Sequence, residues 1–167
     1  EIAEKTFLTT FKPVKFAAVD HIVFGGMGGS GALGDIFSAI LSRTRIHVSV
    51  VKGYSLPKTV DANTLVVVTS ISGNTQEALS VLEQAKKKNS NVIAFSSGGL
   101  VEKFCLENKI EYRKIQEYHS PRASFTVFLY GILKILGSIL PIKENEVIES
   151  IEELKKIGSK ISSKNMT

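Results

Sequence analysis

Three side-chain hydroxyls lie close together in one glycine-containing segment, residues 70–75, which we name the hydroxyl loop. Ser70, Ser72 and Thr75 supply the hydroxyls, and Gly73 stands among them. An apolar run precedes the loop and a helical pattern follows it, which predicts a strand, a loop and a helix. A single serine here would be explained as a helix cap. Three hydroxyls beside the unpaired amides of a helix start favour an anion site, and the lack of a lysine favours a small phosphate monoester.

A second segment, residues 25–31, is rich in glycine and follows the first predicted strand. We name it the glycine loop. Gly26, Gly28 and Gly31 have the spacing of the dinucleotide-binding fingerprint. That fingerprint also requires an acidic residue at the end of the next strand, where this chain has Lys52. Lys52 keeps NADP open as an alternative, although a dinucleotide would leave the hydroxyl loop unexplained.

A phosphosugar site would use both loops. Gly28 and Gly29 let the backbone approach a ligand, and Ser30 offers a hydroxyl at the start of a helix. This interpretation requires the two predicted strands before the loops to be neighbours in one sheet.

Strand and helix patterns alternate along the chain. The predicted strands are residues 21–24, 46–51, 65–68, 92–95 and 110–115, and the predicted helices are residues 31–41, 76–88, 102–107, 121–136 and 144–161. Apolar strands separated by helices predict a parallel sheet that is covered on both faces. We therefore predict an α/β, three-layer, flavodoxin-like fold with five strands in the order 2-1-3-4-5, in which both loops face one crevice.

Composition excludes several classes of function. The single cysteine, Cys105, allows no internal disulfide and no cysteine-rich metal site, so we expect a cytoplasmic protein without a metal or a cofactor. The longest apolar run, residues 125–140, is interrupted by Lys134 and is too short to cross a membrane. The net charge of +5 favours anionic ligands. Dispersed lysines with few aromatic neighbours do not indicate binding to nucleic acid.

Three segments together resemble the sugar isomerase (SIS) domain family: residues 26–31, residues 70–75, and Pro121-Arg122-Ala123. More narrowly, the chain is similar to the amino-terminal half of the bifunctional phosphoglucose/phosphomannose isomerases. The combination of the three motifs is specific, whereas any one of them alone is not. The resemblance covers nearly the whole chain in the order of its elements.

The resemblance implies roles for individual residues. It implies that the phosphate is bound by Ser70, Ser72 and Thr75. It implies that Gly29 and Ser30 line the sugar and that Arg122 lies beside the reacting C1–C2 region. The implied reaction converts glucose 6-phosphate or mannose 6-phosphate to fructose 6-phosphate through an enediolate, whose charge an arginine stabilises.

The resemblance also implies a second SIS domain that carries the catalytic base. We therefore divide the chain into a phosphosugar-binding domain, residues 1–143, and an amphipathic helix with a tail, residues 144–167, that leads to the second domain. The carboxylates nearest the motifs, Asp35 and Glu77, lie on predicted helices, so we expect the isolated chain to bind sugar phosphate weakly and to turn it over negligibly. His119 has no counterpart in the family pattern and is a candidate for the rim of the site.

Two other functions stay open. One is a non-catalytic module that senses phosphosugars, which an adjoining DNA-binding domain would favour. The other is the isomerase domain of an aminosugar-phosphate synthase, which needs an amidotransferase partner.

Apolar side chains on the predicted helices 125–136 and 144–161 exceed what one small domain covers, which predicts a homodimer.

Overall fold

The computed structural model describes residues 2–8, 12–16, 19–120 and 122–161. The helices are α1 (Ile2–Leu8), α2 (Gly29–Leu41), α3 (Gln76–Lys87), α4 (Gly99–Glu107), α5 (Phe125–Ile135) and α6 (Glu144–Lys160). The strands are β1 (His21–Gly25), β2 (His47–Val51), β3 (Thr64–Ser70), β4 (Asn91–Ser96) and β5 (Glu111–Lys114). Every predicted element is present, with ends that differ by a few residues. Helix α1 has no counterpart among the predicted elements.

The strands form one parallel sheet in the order β2-β1-β3-β4-β5, which confirms the predicted order. Strand β1 lies between β2 and β3, with His21 opposite both His47 and Thr64. The loops that follow β1 and β3 therefore leave the sheet at the same edge, side by side.

Strand β3 is buried along its whole length because helices cover both faces of the sheet. Leu65 and Val67 face the cluster that includes side chains of α2 and α5. Val66 and Val68 face the opposite cluster, with side chains of α3 and α4. The alternation follows from the two-residue period of a strand, and the unbroken apolar run at residues 65–68 follows from burial on both faces.

Helices α1 and α6 pack outside α5. Ala3 and Phe7 of α1 contact a cluster with Tyr130 of α5 and with Val147 and Ile151 of α6. The same chain thus covers apolar surface on α5 that the sequence analysis assigned to a second subunit. The homodimer remains a prediction, and its support is now the exposed part of α6.

Two observed ends differ from the predicted ones for identifiable reasons. Strand β3 continues to Ser70, because Ser70 pairs with Ser96 of β4. Helix α5 begins at Phe125 and not at residue 121, because the preceding residues form a turn around the buried side chain of Ser124. In the part of the chain that the structure describes, no helix has the length and apolar character needed to cross a membrane.

Candidate functional site

The hydroxyl loop and the glycine loop meet at the carboxyl edge of the sheet. A Cβ atom on Gly26 would lie 2.9 Å from the carbonyl oxygen of Thr69 and 2.9 Å from the Cβ of Ser30. Only a glycine fits there, because real Cβ contacts are longer. The close approach brings the start of α2 beside the end of β3, as the crevice interpretation requires.

Ser70 and Thr75 form a pair at the start of α3. Their hydroxyl oxygens lie 2.8 Å apart, and Ser70 is buried while Thr75 is half-buried. Thr75 occupies the position before α3 but makes no capping hydrogen bond with its side chain. The first amides of α3 have no partner within the helix and no side-chain cap, so this terminus can accept an anion. Ser72, the third hydroxyl, is exposed.

The start of α2 is built differently. Gly28 precedes the helix with a positive φ of 55°, which favours glycine. Gly28 and Gly29 are exposed, and Ser30 is buried. The amide of Ser30 donates to the carbonyl of Met27 at 3.0 Å, so Ser30 can offer its hydroxyl but not its amide to a ligand.

Lys52, which kept NADP open as an alternative, has a partner within the fold. Its Nζ atom lies 2.6 Å from Oδ2 of Asp35. The stem of Lys52 packs over the first turn of α2, where a Cβ on Gly31 would lie 3.1 Å from the Cγ of Lys52. Lys52 therefore has a role within the fold that requires no 2′-phosphate.

The other carboxylate near the loops is also engaged. Glu77 is half-buried in the first turn of α3. The negative charge of Glu77, together with a hydrogen bond to it, raises the pKa of the exposed Tyr54. Each of the two carboxylates that the sequence analysis considered as a base therefore has a partner within the fold.

Arg122 and His119 lie on the segment between β5 and α5, and both are exposed. His119 has a positive φ of 47°. Among the contacts of the described residues, no hydrogen bond or ion pair joins either side chain to the hydroxyl loop or the glycine loop. Pro121, the first residue of the third motif, lies outside the described residues.

The sequence analysis missed the residue that anchors this segment. Ser124 is fully buried, and its hydroxyl accepts a hydrogen bond from the amide of Tyr118 at 2.7 Å. The same oxygen lies 2.8 Å from the carbonyl of Ser120, to which it donates. A serine directly before an apolar helix was the available signal, since such a residue satisfies backbone groups near a helix start.

Asn74 is a second residue that the sequence analysis missed. Its Oδ1 atom accepts a hydrogen bond from the amide of Leu100 at 3.2 Å. Its Nδ2 atom donates to the carbonyl of Ser72 at 3.2 Å. Asn74 thus links the hydroxyl loop to the start of α4. The glycine pair after β4 was the available signal, because adjacent glycines permit a close approach of another loop.

Comparisons with known proteins identify the family. A family model described as the SIS domain matches residues 15–102. A bifunctional phosphoglucose/phosphomannose isomerase of Caldicellulosiruptor bescii is 33% identical over 145 residues, which cover 84% of this chain and 42% of that protein. The enzyme of the same description from Thermoplasma volcanium is 34% identical over 160 residues, which cover 90% of this chain and 50% of that protein.

The fold comparison agrees. A crystal structure of a Bacillus subtilis protein suggested to be a phosphosugar isomerase aligns with a TM-score of 0.66 and 20% identity, covering 95% of this chain and 50% of that one. At this identity the likeness shows the fold alone. This chain spans about half the length of the curated relatives it matches. With the family model matching more than half of its residues, the chain belongs to the SIS domain family.

Proposed function

We propose that this chain is the phosphate-binding part of an isomerase that interconverts glucose 6-phosphate or mannose 6-phosphate with fructose 6-phosphate. The observation that carries the proposal is the hydroxyl pair at the uncapped start of α3. Because Ser70 and Thr75 bond to each other, one of the two hydroxyl protons is free to bind an acceptor. A phosphate dianion offers acceptors both to that proton and to the first amides of α3.

The sugar end of the substrate is assigned to the neighbouring loop. Ser30 lies beside the end of β3 through the contact at Gly26, which supports assigning its hydroxyl to the same crevice. Arg122 is assigned to the C1–C2 region. Aldose–ketose isomerisation moves a proton between these carbons through an enediolate, and a guanidinium stabilises the charge that develops on its two oxygens.

The general base is assigned to another part of the whole protein. Proton transfer needs a positioned base whose pKa is close to the working pH. Asp35 is paired with Lys52, and Glu77 interacts with Tyr54, so neither is a free base for the crevice. The two isomerases compared above are about twice as long as this chain, which supports a base outside it. The isolated chain should therefore bind sugar phosphates and not convert them.

Calorimetric titration tests the binding site. Fructose 6-phosphate and glucose 6-phosphate should bind, and NADP should not. Ser70→Ala removes a hydrogen bond to a charged group, worth about 1.5–3 kcal/mol, so affinity should fall by roughly 10- to 150-fold. Ser42→Ala is the matched control, because the Ser42 hydroxyl donates only to a local carbonyl at the far end of α2. Binding of NADP without sugar phosphate, or unchanged affinity in the Ser70 variant, would overturn the proposal.

Turnover distinguishes an isomerase from a module that only senses phosphosugars. A coupled assay of fructose 6-phosphate formation should detect no conversion by the isolated chain and clear conversion by the full-length protein. Conversion by the isolated chain would place the base within these residues. Absence of conversion by a full-length protein that binds the substrate would favour a sensing module.

The proposed working unit is a homodimer in the cytoplasm. Three apolar side chains at helical spacing are exposed at the carboxyl end of α6: Leu154, Ile157 and the cap residue Ile161. Their exposed fractions are 47%, 51% and 66%. An apolar stripe of this kind favours a partner surface. Sedimentation equilibrium at micromolar concentration is the measurement, and a monomer of the full-length protein would contradict the proposal.

A further inference from the structure

The hydroxyl loop is packed backbone to backbone against the loop that follows β4. The amide of Ser97 donates to the carbonyl of Ile71 at 3.0 Å, and the amide of Val101 donates to the carbonyl of Gly73 at 2.9 Å. A Cβ on Gly73 would lie 1.8 Å from the carbonyl oxygen of Gly98. The shape of the hydroxyl loop therefore depends on where α4 begins.

The side chain of Asn74 makes hydrogen bonds to both loops at this contact. Asn74 accepts from the amide of Leu100 through Oδ1 and donates to the carbonyl of Ser72 through Nδ2. The backbone amide of Asn74 also lies 3.4 Å from the Ser72 hydroxyl. Both hydrogen bonds that the structure gives to Ser72 therefore involve Asn74.

Ser72 needs such support because it is exposed and lies in a turn between β3 and α3. A hydroxyl on an unrestrained turn loses conformational freedom when it binds a ligand, and this loss weakens binding. A clamp that fixes the backbone of Ser72 before the ligand arrives removes part of that loss.

We propose that Asn74 is a positioning residue of the phosphate site, which fixes Ser72 by tying its carbonyl to the first turn of α4. The proposal rests on the proposed function, because it assumes that Ser72 binds phosphate. Asn74 acts through Ser72, so its effect on affinity must depend on the Ser72 hydroxyl.

A double-mutant cycle measures this dependence. The Kd of fructose 6-phosphate is measured by calorimetry, well below the unfolding temperature, for the wild type, Ser72→Ala, Asn74→Ala and the double variant. Each single change should weaken binding about tenfold, and the double variant should be weakened by much less than the product of the two. A purely structural role of Asn74 would give independent, multiplicative effects.

Asn91→Ala is the matched control for the cycle. The Asn91 side chain also donates to a backbone carbonyl of another segment, that of Ala62, at 3.1 Å. This bond lies where β4 begins, at the opposite edge of the sheet. Asn91→Ala should leave the Kd unchanged in both the wild-type and the Ser72→Ala backgrounds.

Asn74→Asp keeps the test decisive if Asn74→Ala does not fold. Aspartate retains the oxygen that accepts from Leu100, so α4 stays capped and the unfolding temperature should stay close to that of the wild type. It lacks the donor to the Ser72 carbonyl, so binding should stay at least tenfold weaker, and most of this loss should disappear in the Ser72→Ala background, where repulsion of phosphate by the added carboxylate would persist. Wild-type affinity in Asn74→Asp would show that Asn74 only caps α4, which overturns the proposal.

The remaining outcomes separate the two proposals. If the wild type binds fructose 6-phosphate and the Asn74 variants bind it equally well, the positioning role is wrong and the proposed function stands. If the wild type binds neither fructose 6-phosphate nor inorganic phosphate, the proposed function fails and the positioning role fails with it.

Discussion

Replacing Gly73 by alanine should separate the hydroxyl loop from the loop after β4. Gly73 has a positive φ of 72°, a conformation that costs a residue with a Cβ about 1–2 kcal/mol. The added Cβ would also lie 1.8 Å from the carbonyl oxygen of Gly98. That oxygen belongs to the backbone, so no side-chain rotation relieves the overlap and one of the loops must move.

The size of the effect follows from these contacts. Movement of the loops breaks the hydrogen bond between the amide of Val101 and the carbonyl of Gly73, which contributes about 1 kcal/mol. Added to the cost of the positive φ, the total loss of unfolding free energy is about 2–3 kcal/mol. For a chain of this size, each kcal/mol lowers the unfolding temperature by roughly 2–4 °C. We therefore expect a decrease of about 4–12 °C.

Thermal unfolding followed by circular dichroism tests the expectation. Gly158→Ala is the matched control, because Gly158 lies in α6, is exposed, and leaves open space for a Cβ. This control should raise stability by about 0.5–1 kcal/mol, since alanine favours the helix. An unfolding temperature of Gly73→Ala within about 2 °C of the wild type would refute the reasoning, because such a shift corresponds to at most about 1 kcal/mol, below the smallest expected loss of about 2 kcal/mol.

Three further outcomes follow from buried groups. Burial, and secondarily the charge of His47, lower the pKa of His21 below its ordinary 6.5. His21 therefore takes up a proton more readily in the unfolded protein than in the native protein. The free energy of unfolding from urea titrations should therefore fall as the pH drops below about 6.5, and His21→Gln should reduce this dependence. Ser124→Ala leaves the amide of Tyr118 without its partner and should cost about 1–3 kcal/mol in chemical denaturation. Burial raises the pKa of Cys105 to about 12, so a thiol reagent at pH 8 should react slowly with the native protein and rapidly in urea; fast native labelling would contradict this.

The sheet could be predicted from the sequence because its signals are local. Residues 65–68 are apolar at every position, which only burial on both faces explains, and the structure buries each of them. Right-handed crossovers between apolar strands predicted the doubly wound sandwich, and the strand order was that of the flavodoxin-like fold. Helix α1 was missed because seven residues give too few turns for a clear period, and its stability comes from contacts with α5 and α6.

The site was predictable only in part. Ser70 and Thr75 could be predicted as candidate ligands from their residue type and from their position after a buried strand. In the structure their hydroxyls are hydrogen-bonded to each other. Asn74 was missed because its partner, the amide of Leu100, comes from a segment that only the folded chain brings near. Ser124 was missed although its partners, Tyr118 and Ser120, are close in sequence, because a serine before an apolar helix does not by itself show which backbone groups it satisfies. The relation of Arg122 to the loops stays a prediction, since residue type alone does not determine where an exposed side chain on a turn lies.

The layer formed by α1 and α6 has a consequence for how the chain folds. Glu4 and Lys155 lie 2.7 Å apart although nearly the whole chain separates them in sequence. Contacts between such distant segments carry a large loop-closure entropy, so they form after the local contacts of the sheet and its flanking helices. During synthesis on the ribosome, α1 emerges well before α5 and α6, against which it packs. Helix α1 should accordingly be the last element to gain protection from amide hydrogen exchange and the first to lose it, while the central strand β3 retains it longest.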